Sequence, residues 1–294
     1  MFLYSRMSAF TQRQKEIESL HVDTIHSLLQ KDEPCLIGRF GTIECQSLFM
    51  NFYSPVLERN AGIFGDQESW KLLYKKAVKE ADALALGWYG PTAPLEKKVI
   101  GDDWSGSELH LRSLEPYYVD PGKRWTNCLA NKRVCVVTSF ASTAKSQLEK
   151  REKLWKDSES LFPSTTTWSF VQTGYAPSLA KGRASWSDIT GGDIQDWSEA
   201  TEYCVKEVLQ TDSDIILLGC GGLAMVIGAE LKRRGKKCMV LGGAIQVLFG
   251  IKGGRWAKHD VIGKLWNEHW VWPSEEETPR GSLEVEGGCY WHPR

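Results

Sequence analysis

The chain has 294 residues, 42% of them hydrophobic and 25% charged, which is enough to bury a sizeable core and ordinary for a globular protein. With 36 basic against 37 acidic residues, the formal net charge of −1 offers no global attraction to nucleic acid or to an acidic membrane surface, so neither is an expected partner. No apolar run approaches the ~18 residues of a membrane span, and the first residues, MFLYSRMSAFTQRQKEIESL, lack the basic-then-apolar order of a signal peptide, so the expected address is cytoplasmic.

In chain order, an amphipathic helix is predicted over roughly Thr11 to Gln30, inside an N-terminal helical segment of residues 1–32. Strand-like apolar runs then follow at Cys35–Gly38, Ala83–Trp88, Arg133–Thr138, Thr167–Gln172, Asp214–Leu218 and Lys237–Leu241. Between them, helical periodicity marks Thr42–Phe52, Asp66–Ala81, Ala141–Asp157, Ile194–Gln210 and Leu223–Arg234. The stretch from Ala141 has Glu149/Lys153 and Glu152/Lys156 at helical spacing, with Ala144, Leu148 and Trp155 on another face. Such alternation implies crossover connections, hence an α/β fold with a Rossmann-like, doubly wound, mostly parallel sheet. No internal repeat or low-complexity linker divides the chain, so a single domain over 1–294 is expected, with an irregular C-terminal tail, 257–294, packing on the site.

Two stretches resist regular assignment, Tyr89 to Ser107 and Gln172 to Asp193, both rich in Gly, Pro, Ser and aromatic residues. Each follows a predicted strand, and in open α/β sheets ligands bind beyond the carboxyl ends of strands, so both are candidate substrate loops. The eight cysteines, Cys35, Cys45, Cys128, Cys135, Cys204, Cys220, Cys238 and Cys289, are scattered without a C-x-x-C pair and read as reduced core residues. Thirteen tryptophans is a high count; most belong in a core, but flat aromatic faces also stack on sugar rings.

The run DSDIILLGCGGLAMVIGAELKRRGKKCMVLGG is the clearest β-loop-α-β unit. Its turn, Gly219-Cys220-Gly221-Gly222, leads into a helix whose unpaired N–H groups and dipole favour an anion such as a diphosphate. With Ala224 the spacing reads G-x-G-x-x-A, shared by dinucleotide, adenosylmethionine and nucleotide-sugar proteins. The bland alternative is a tight turn that needs small residues only for strand-helix packing. A dinucleotide binder usually carries an acidic residue about 20 positions on. Here the next strand ends Leu241-Gly242-Gly243, which tells against nicotinamide and adenosylmethionine. The chain continues GGAIQVLFGIKGGRW, where Gly243 permits close backbone approach and Lys252, Arg255 and Trp256 put two cations beside an aromatic face, as a phosphate and a base or sugar would need. A solvated basic turn is the other reading.

Earlier in the chain, CLIGRFGTIECQSLFM places Arg39 and Glu44 where the first strand gives way, through Gly38 and Gly41, to a helix. They serve either a ligand at the sheet's carboxyl edge or an ion pair bracing the loop. RFGTIE resembles the R-F-G-D-G-E motif of the GT-D class of glycosyltransferases. The chain also resembles a branch of uncharacterised polysaccharide-biosynthesis proteins through NAGIFG, KRVCVVTSF, GCGG, LGGAIQVLFGIKGGRW, NEHWVWP and VEGGCYW, spanning about Cys35 to Trp291. The resemblance implies a Rossmann-like enzyme using a nucleotide-sugar donor, UDP- or GDP-linked, and a glycan acceptor. The class associates its D-x-E carboxylates with a divalent metal, Mn²⁺ or Mg²⁺. Thr42 replaces the first of these, leaving Glu44 as metal ligand or catalytic base. Asp66-Gln67-Glu68 offers a second D-x-E string where a helix should begin, a position in which acidic residues are routine.

The expected site therefore comprises Arg39 and Glu44 for catalysis, Gly219, Cys220, Gly221, Gly222, Gly243, Lys252, Arg255 and Trp256 for the donor, and Trp88, Tyr89 and Trp256 as stacking surfaces, closed by Tyr290 and Trp291. His259 and His269 follow the basic glycine block and could meet the site, whereas His21 and His26 read as surface residues of the opening helix. No nucleophile elbow, zinc-protease motif or Walker sequence is present. The alternatives are an adenosylmethionine-dependent or other nucleotide-dependent sugar-modifying enzyme, and a non-catalytic glycan-binding protein.

Overall fold

Apolar runs become strands because their side chains alternate between two buried faces, and a short polar strand joins them at one edge to make seven. They are β1 (Leu36–Arg39), β2 (Ala83–Ala85), β3 (Ser107–Leu109), β4 (Arg133–Thr138), β5 (Thr167–Gln172), β6 (Ile215–Gly219) and β7 (Lys237–Val240). The computed structural model describes residues 21–50 and 54–292. One sheet runs in the order β3-β2-β1-β7-β6-β4-β5, with every pairing parallel.

Alternation along β4 separates two cores. Cys135 and Val137 join Leu36, Leu218 and Val240 under the helices Gln67–Lys79, Trp197–Gln210 and Leu223–Arg233. Val134 and Val136 join Ile37, Leu217 and Met239 under the helical residues 21–30, the helix Ala141–Leu148 and the C-terminal tail. Helices thus cover both faces, as the doubly wound expectation requires. Because β1 has β2 on one side and β7 on the other, and β4 likewise separates β5 from β6, the chain changes direction at two places, and crevices open there at the carboxyl edge.

Several elements differ from the sequence reading. Of the predicted opening helix, residues 21–30 are helical and residues 11–20 lie outside the described residues. The stretch Tyr89–Ser107 contains the helix Ala93–Ile100 and leads into β3. Prolines punctuate that stretch as if it were a loop, but Pro94 falls in the helix's first turn, where its missing N–H costs nothing. β3 is a three-residue edge strand, Ser-Glu-Leu, with two exposed positions and hence no apolar pattern. The predicted helix Thr42–Phe52 ends at Ser47, and a further helix occupies Ser54–Ala61.

The predicted helix Ala141–Asp157 breaks into Ala141–Leu148, Arg151–Leu154 and Ser158–Leu161. Trp155 is extended, buried, stacked on Tyr117 at 6.0 Å and bonded through Nε1 to the Leu248 carbonyl at 2.9 Å. Burying an indole outweighs the surface charge pairs of an unbroken helix, worth about 0.2–0.5 kcal/mol each. Among the described residues, no helix is long and apolar enough to cross a membrane.

Candidate active site

The carboxyl ends of the strands converge on a cavity of about 340 Å³. Arg39, the last residue of β1, is half-buried in its wall, and its guanidinium carbon lies 4.5 Å from the Trp88 ring centroid. Arg39 Nε donates to the Phe40 carbonyl at 3.2 Å, and Trp88 Nε1 donates to the same oxygen at 3.3 Å, so cation and ring are held together. The loop bearing Trp88 is fixed by Glu96, fully buried, which accepts from Gly87 N–H at 2.7 Å and Thr92 Oγ1 at 2.8 Å. Arg39 has no carboxylate within 4.0 Å among the described residues, so the loop-bracing ion pair with Glu44 does not form. A half-buried guanidinium without an anion is a ready anion site.

Glu44 lies in the first turn of the helix Thr42–Ser47 and folds back over Gly41. A Cβ at position 41 would lie 1.8 Å from Glu44 Oε2, so glycine there is what lets the carboxylate lie down. Desolvation pushes the Glu44 pKa above the ordinary carboxylate range, against the opposing pull of its own backbone N–H and of Arg39.

The donor set for a divalent ion is thin. Among the described residues no three His, Cys, Asp or Glu side chains converge on a common point. The other two carboxylates of the cavity wall are engaged, Glu115 with Arg112 and Glu286 with Arg255, the latter at 2.8 Å. Asp66 is the N-cap of the helix Gln67–Lys79, accepting from Glu68 and Ser69 N–H at 3.2 Å, and Glu68 pairs with Lys71; neither lines the cavity. Among the described residues the protein alone does not assemble a metal site here.

The glycine turn has a double character. Gly219, Cys220 and Gly221 line the cavity, but Gly222 does not. Gly222 N–H donates to the Ala61 carbonyl at 2.8 Å, and a Cβ on it would stand 2.8 Å from the Ile63 side chain. Gly221 adopts φ +60°, with its Cβ position 2.7 Å from the Ala61 carbonyl oxygen. The chain at 61–63 therefore packs directly on the turn, and close packing accounts for both glycines.

After β7, Gly242 takes φ +56° with its Cβ position 3.7 Å from the Arg39 guanidinium carbon. Gly243 packs against Trp256 and Tyr290, its Cβ position 3.2 Å and 3.6 Å from the two rings. Arg255, Trp256, Tyr290 and Trp291 all line the cavity, with Arg255 stacked on Tyr290 at 4.3 Å and bonded to Glu286. Lys252 does not line it; its ammonium lies over Trp266 at 5.7 Å. Tyr89 is exposed and also outside, although its neighbour Trp88 is inside.

The histidines lie elsewhere. His259 Nδ1 accepts from Val261 and Ile262 N–H at 3.2 Å, and His269 lies 3.5 Å from Glu268. His21 and His26 are half-buried rather than surface residues: His21 Nδ1 accepts from His110 N–H, and His26 Nε2 contacts the Lys123 carbonyl at 3.0 Å. The sequence reading misses Arg59, Glu115 and Gln246 in the cavity wall, whereas Tyr175 lies there within the stretch Gln172–Asp193 expected as a substrate loop. Arg59 and Glu115 lie in segments without a glycine-rich or strand-end signal, whereas Gln246 sits inside a block already singled out.

Fold and cavity define an α/β protein with a cation- and aromatic-lined cavity at the carboxyl edge of a parallel sheet. No family model and no curated protein matches the chain. Among solved structures it is similar to one described as the highly conserved domain of unknown function 1792 with a distinct glycosyltransferase fold, at 13% identity over 88% of both chains and a TM-score of 0.49. A selenomethionine-substituted structure of domain of unknown function 1792 is similar at 12% identity, over 79% of this chain and 82% of that one, with a TM-score of 0.44.

Proposed function

We propose that the protein is a glycosyltransferase that moves a sugar from a nucleoside diphosphate donor to a hydroxyl of a glycan acceptor. The observation that carries this reading is the half-buried guanidinium of Arg39, free of any carboxylate among the described residues, in one cavity with the Glu44 carboxyl folded back over Gly41. The resemblance of R-F-G-x-x-E to the GT-D motif rests on the same two residues. In the proposed reaction the acceptor oxygen attacks the anomeric carbon, the bond to the diphosphate oxygen breaks, and Glu44 takes the hydroxyl proton. Arg39 faces the charge that develops on the leaving diphosphate, and the wall at Gly219–Gly221 lets backbone approach it. Trp256, Tyr290 and Trp291 supply flat apolar surface that excludes water and stacks on ring systems.

The test is calorimetric titration with UDP and GDP, each with and without Mn²⁺, followed by transfer assays of Glu44→Gln. One nucleotide should bind without metal, more weakly in Arg39→Ala by about 10- to 100-fold. Glu44→Gln should bind the nucleotide but lose transfer while staying folded. Binding that vanishes without Mn²⁺ would reassign Glu44 to an ion brought in with the donor phosphates. Failure of both nucleotides to bind would sink the reading, and adenosylmethionine would be titrated next.

A further inference from the structure

Tyr290, in the C-terminal tail, is held on several sides. Its carbonyl accepts from Gln246 Nε2 at 2.7 Å, its ring lies 3.6 Å from the Cβ position of Gly243, and the rings of Trp256 and Trp291 flank it at 6.4 Å and 5.7 Å between centroids. The guanidinium of Arg255 lies on the ring face at 4.3 Å and is itself bonded to Glu286 at 2.8 Å and to Cys289 Sγ at 3.2 Å. The ring is thereby fixed, and the direction of its hydroxyl with it. Tyr290 is half-buried and lines the cavity; its Oη makes no hydrogen bond among the described residues and, unlike Tyr117 Oη, is not shut away from contact. Tyr175, the other half-buried phenol of the wall, is already committed, donating to the Glu277 carbonyl at 3.1 Å.

The surroundings say what the free hydroxyl meets. Arg39 and Glu44 both act electrostatically on Tyr290 Oη, so it stands over the part of the cavity that they line. Burial pushes the phenol above the ordinary tyrosine range, against the pull of Arg255 and Arg39, so it keeps its proton at neutral pH and meets an anion as a donor. A cation on the ring face draws electron density from the phenol and strengthens that donor. We infer that Tyr290 is a catalytic residue whose hydroxyl donates a hydrogen bond to the distal phosphate of the nucleoside diphosphate, the leaving group of the transfer. This assignment rests on the nucleotide-sugar reading and deepens it. When the bond from the anomeric carbon to the diphosphate oxygen breaks, the electron pair stays on that oxygen. Tyr290 keeps its proton and shares it with the new charge beside Arg39, while the acceptor's proton goes to Glu44.

The experiment titrates the wild-type protein and Tyr290→Phe with UDP and UMP, and with GDP and GMP. Phenylalanine keeps the ring beneath Arg255 and against Gly243 and removes only the oxygen. For whichever pair binds, the variant should hold the diphosphate about 10-fold or more weakly and the monophosphate within about twofold of wild type. A merely structural role would weaken both alike. That outcome, or an unchanged diphosphate affinity, overturns the inference while leaving the nucleotide-sugar reading intact. If circular dichroism shows that the variant does not fold, 3-fluorotyrosine is incorporated in place of Tyr290. Its more acidic hydroxyl should tighten the diphosphate and leave the monophosphate unchanged, and an unchanged ratio of the two overturns the inference. If neither UDP nor GDP binds the wild-type protein, the functional reading fails and this assignment fails with it.

Discussion

On the proposed function, Arg39 acts through shape as well as charge. Its planar guanidinium lies on Trp88 while Nε is held by the Phe40 carbonyl, which leaves the remaining N–H groups for an anion. Lysine keeps the charge but neither the stacking nor the fork, so Arg39→Lys should weaken nucleotide binding by about tenfold, measured by titration, with the melting temperature little changed. Glu44 makes a pH prediction whose sign follows from desolvation. Its folded pKa is raised above the ordinary 4.5, so the folded state holds the proton more tightly than the unfolded chain. The cost of burying the ionised carboxylate is present above the folded pKa and disappears as pH falls to the unfolded value. Wild type should therefore gain stability relative to Glu44→Gln as pH drops through that window, read from urea midpoints across pH. For transfer, the acid limb of the rate profile should lie above the ordinary glutamate range. The sequence sets these two residues apart as charges where an apolar strand gives way to a helix, and the fold brings both into one cavity wall. The sequence does not mark Glu115, which reaches the same cavity from between the short helical turns Leu111–Leu114 and Pro116–Tyr118, beyond the edge strand.

At the scale of the element, two glycines with different duties can be separated by experiment. Gly41 has an ordinary φ of −82° and is needed only for the space that the Glu44 carboxylate occupies. Gly41→Ala should leave the fold standing but drive Glu44 out of its place, lowering transfer by about 100-fold while nucleotide affinity changes less, a kcat effect checked by steady-state kinetics. Gly221 combines positive φ with a Cβ position blocked by backbone, so Gly221→Ala should cost about 1–3 kcal/mol, measured by chemical denaturation. The turn itself is legible as Gly-Cys-Gly-Gly between an apolar strand and a striped helix. What presses against it, the carbonyl of Ala61, is not, because that contact joins residues far apart along the chain.

Across the whole molecule, the C-terminal tail closes the cavity, and one buried carboxylate ties it down. Glu277, 4% exposed, accepts from Ser142 N–H at 2.8 Å, Thr143 N–H at 3.1 Å and the Thr143 hydroxyl, at the start of the helix Ala141–Leu148. Its own carbonyl accepts from Tyr175 Oη at 3.1 Å and Trp291 Nε1 at 3.3 Å, so the same residue sets two aromatic walls of the site. Glu277→Ala should destabilise the protein by about 3 kcal/mol in urea titrations, because several buried donors lose their acceptor together, and should weaken nucleotide binding as the wall loosens.

By itself, the sequence determined what depends on neighbours along the chain: apolar alternation that makes parallel strands buried on both faces, glycine turns at strand ends, and Arg39 and Glu44 at the carboxyl edge. Only the tertiary structure decided that β3 pairs at the edge, that the helix after Phe140 breaks to bury Trp155, and that Gln246 and Glu277 face partners brought from far along the chain. The physical reason is the range of the forces. Periodicity and turn chemistry are settled within a few residues, whereas burial and hydrogen-bond satisfaction are settled by whichever surfaces meet when the sheet is assembled.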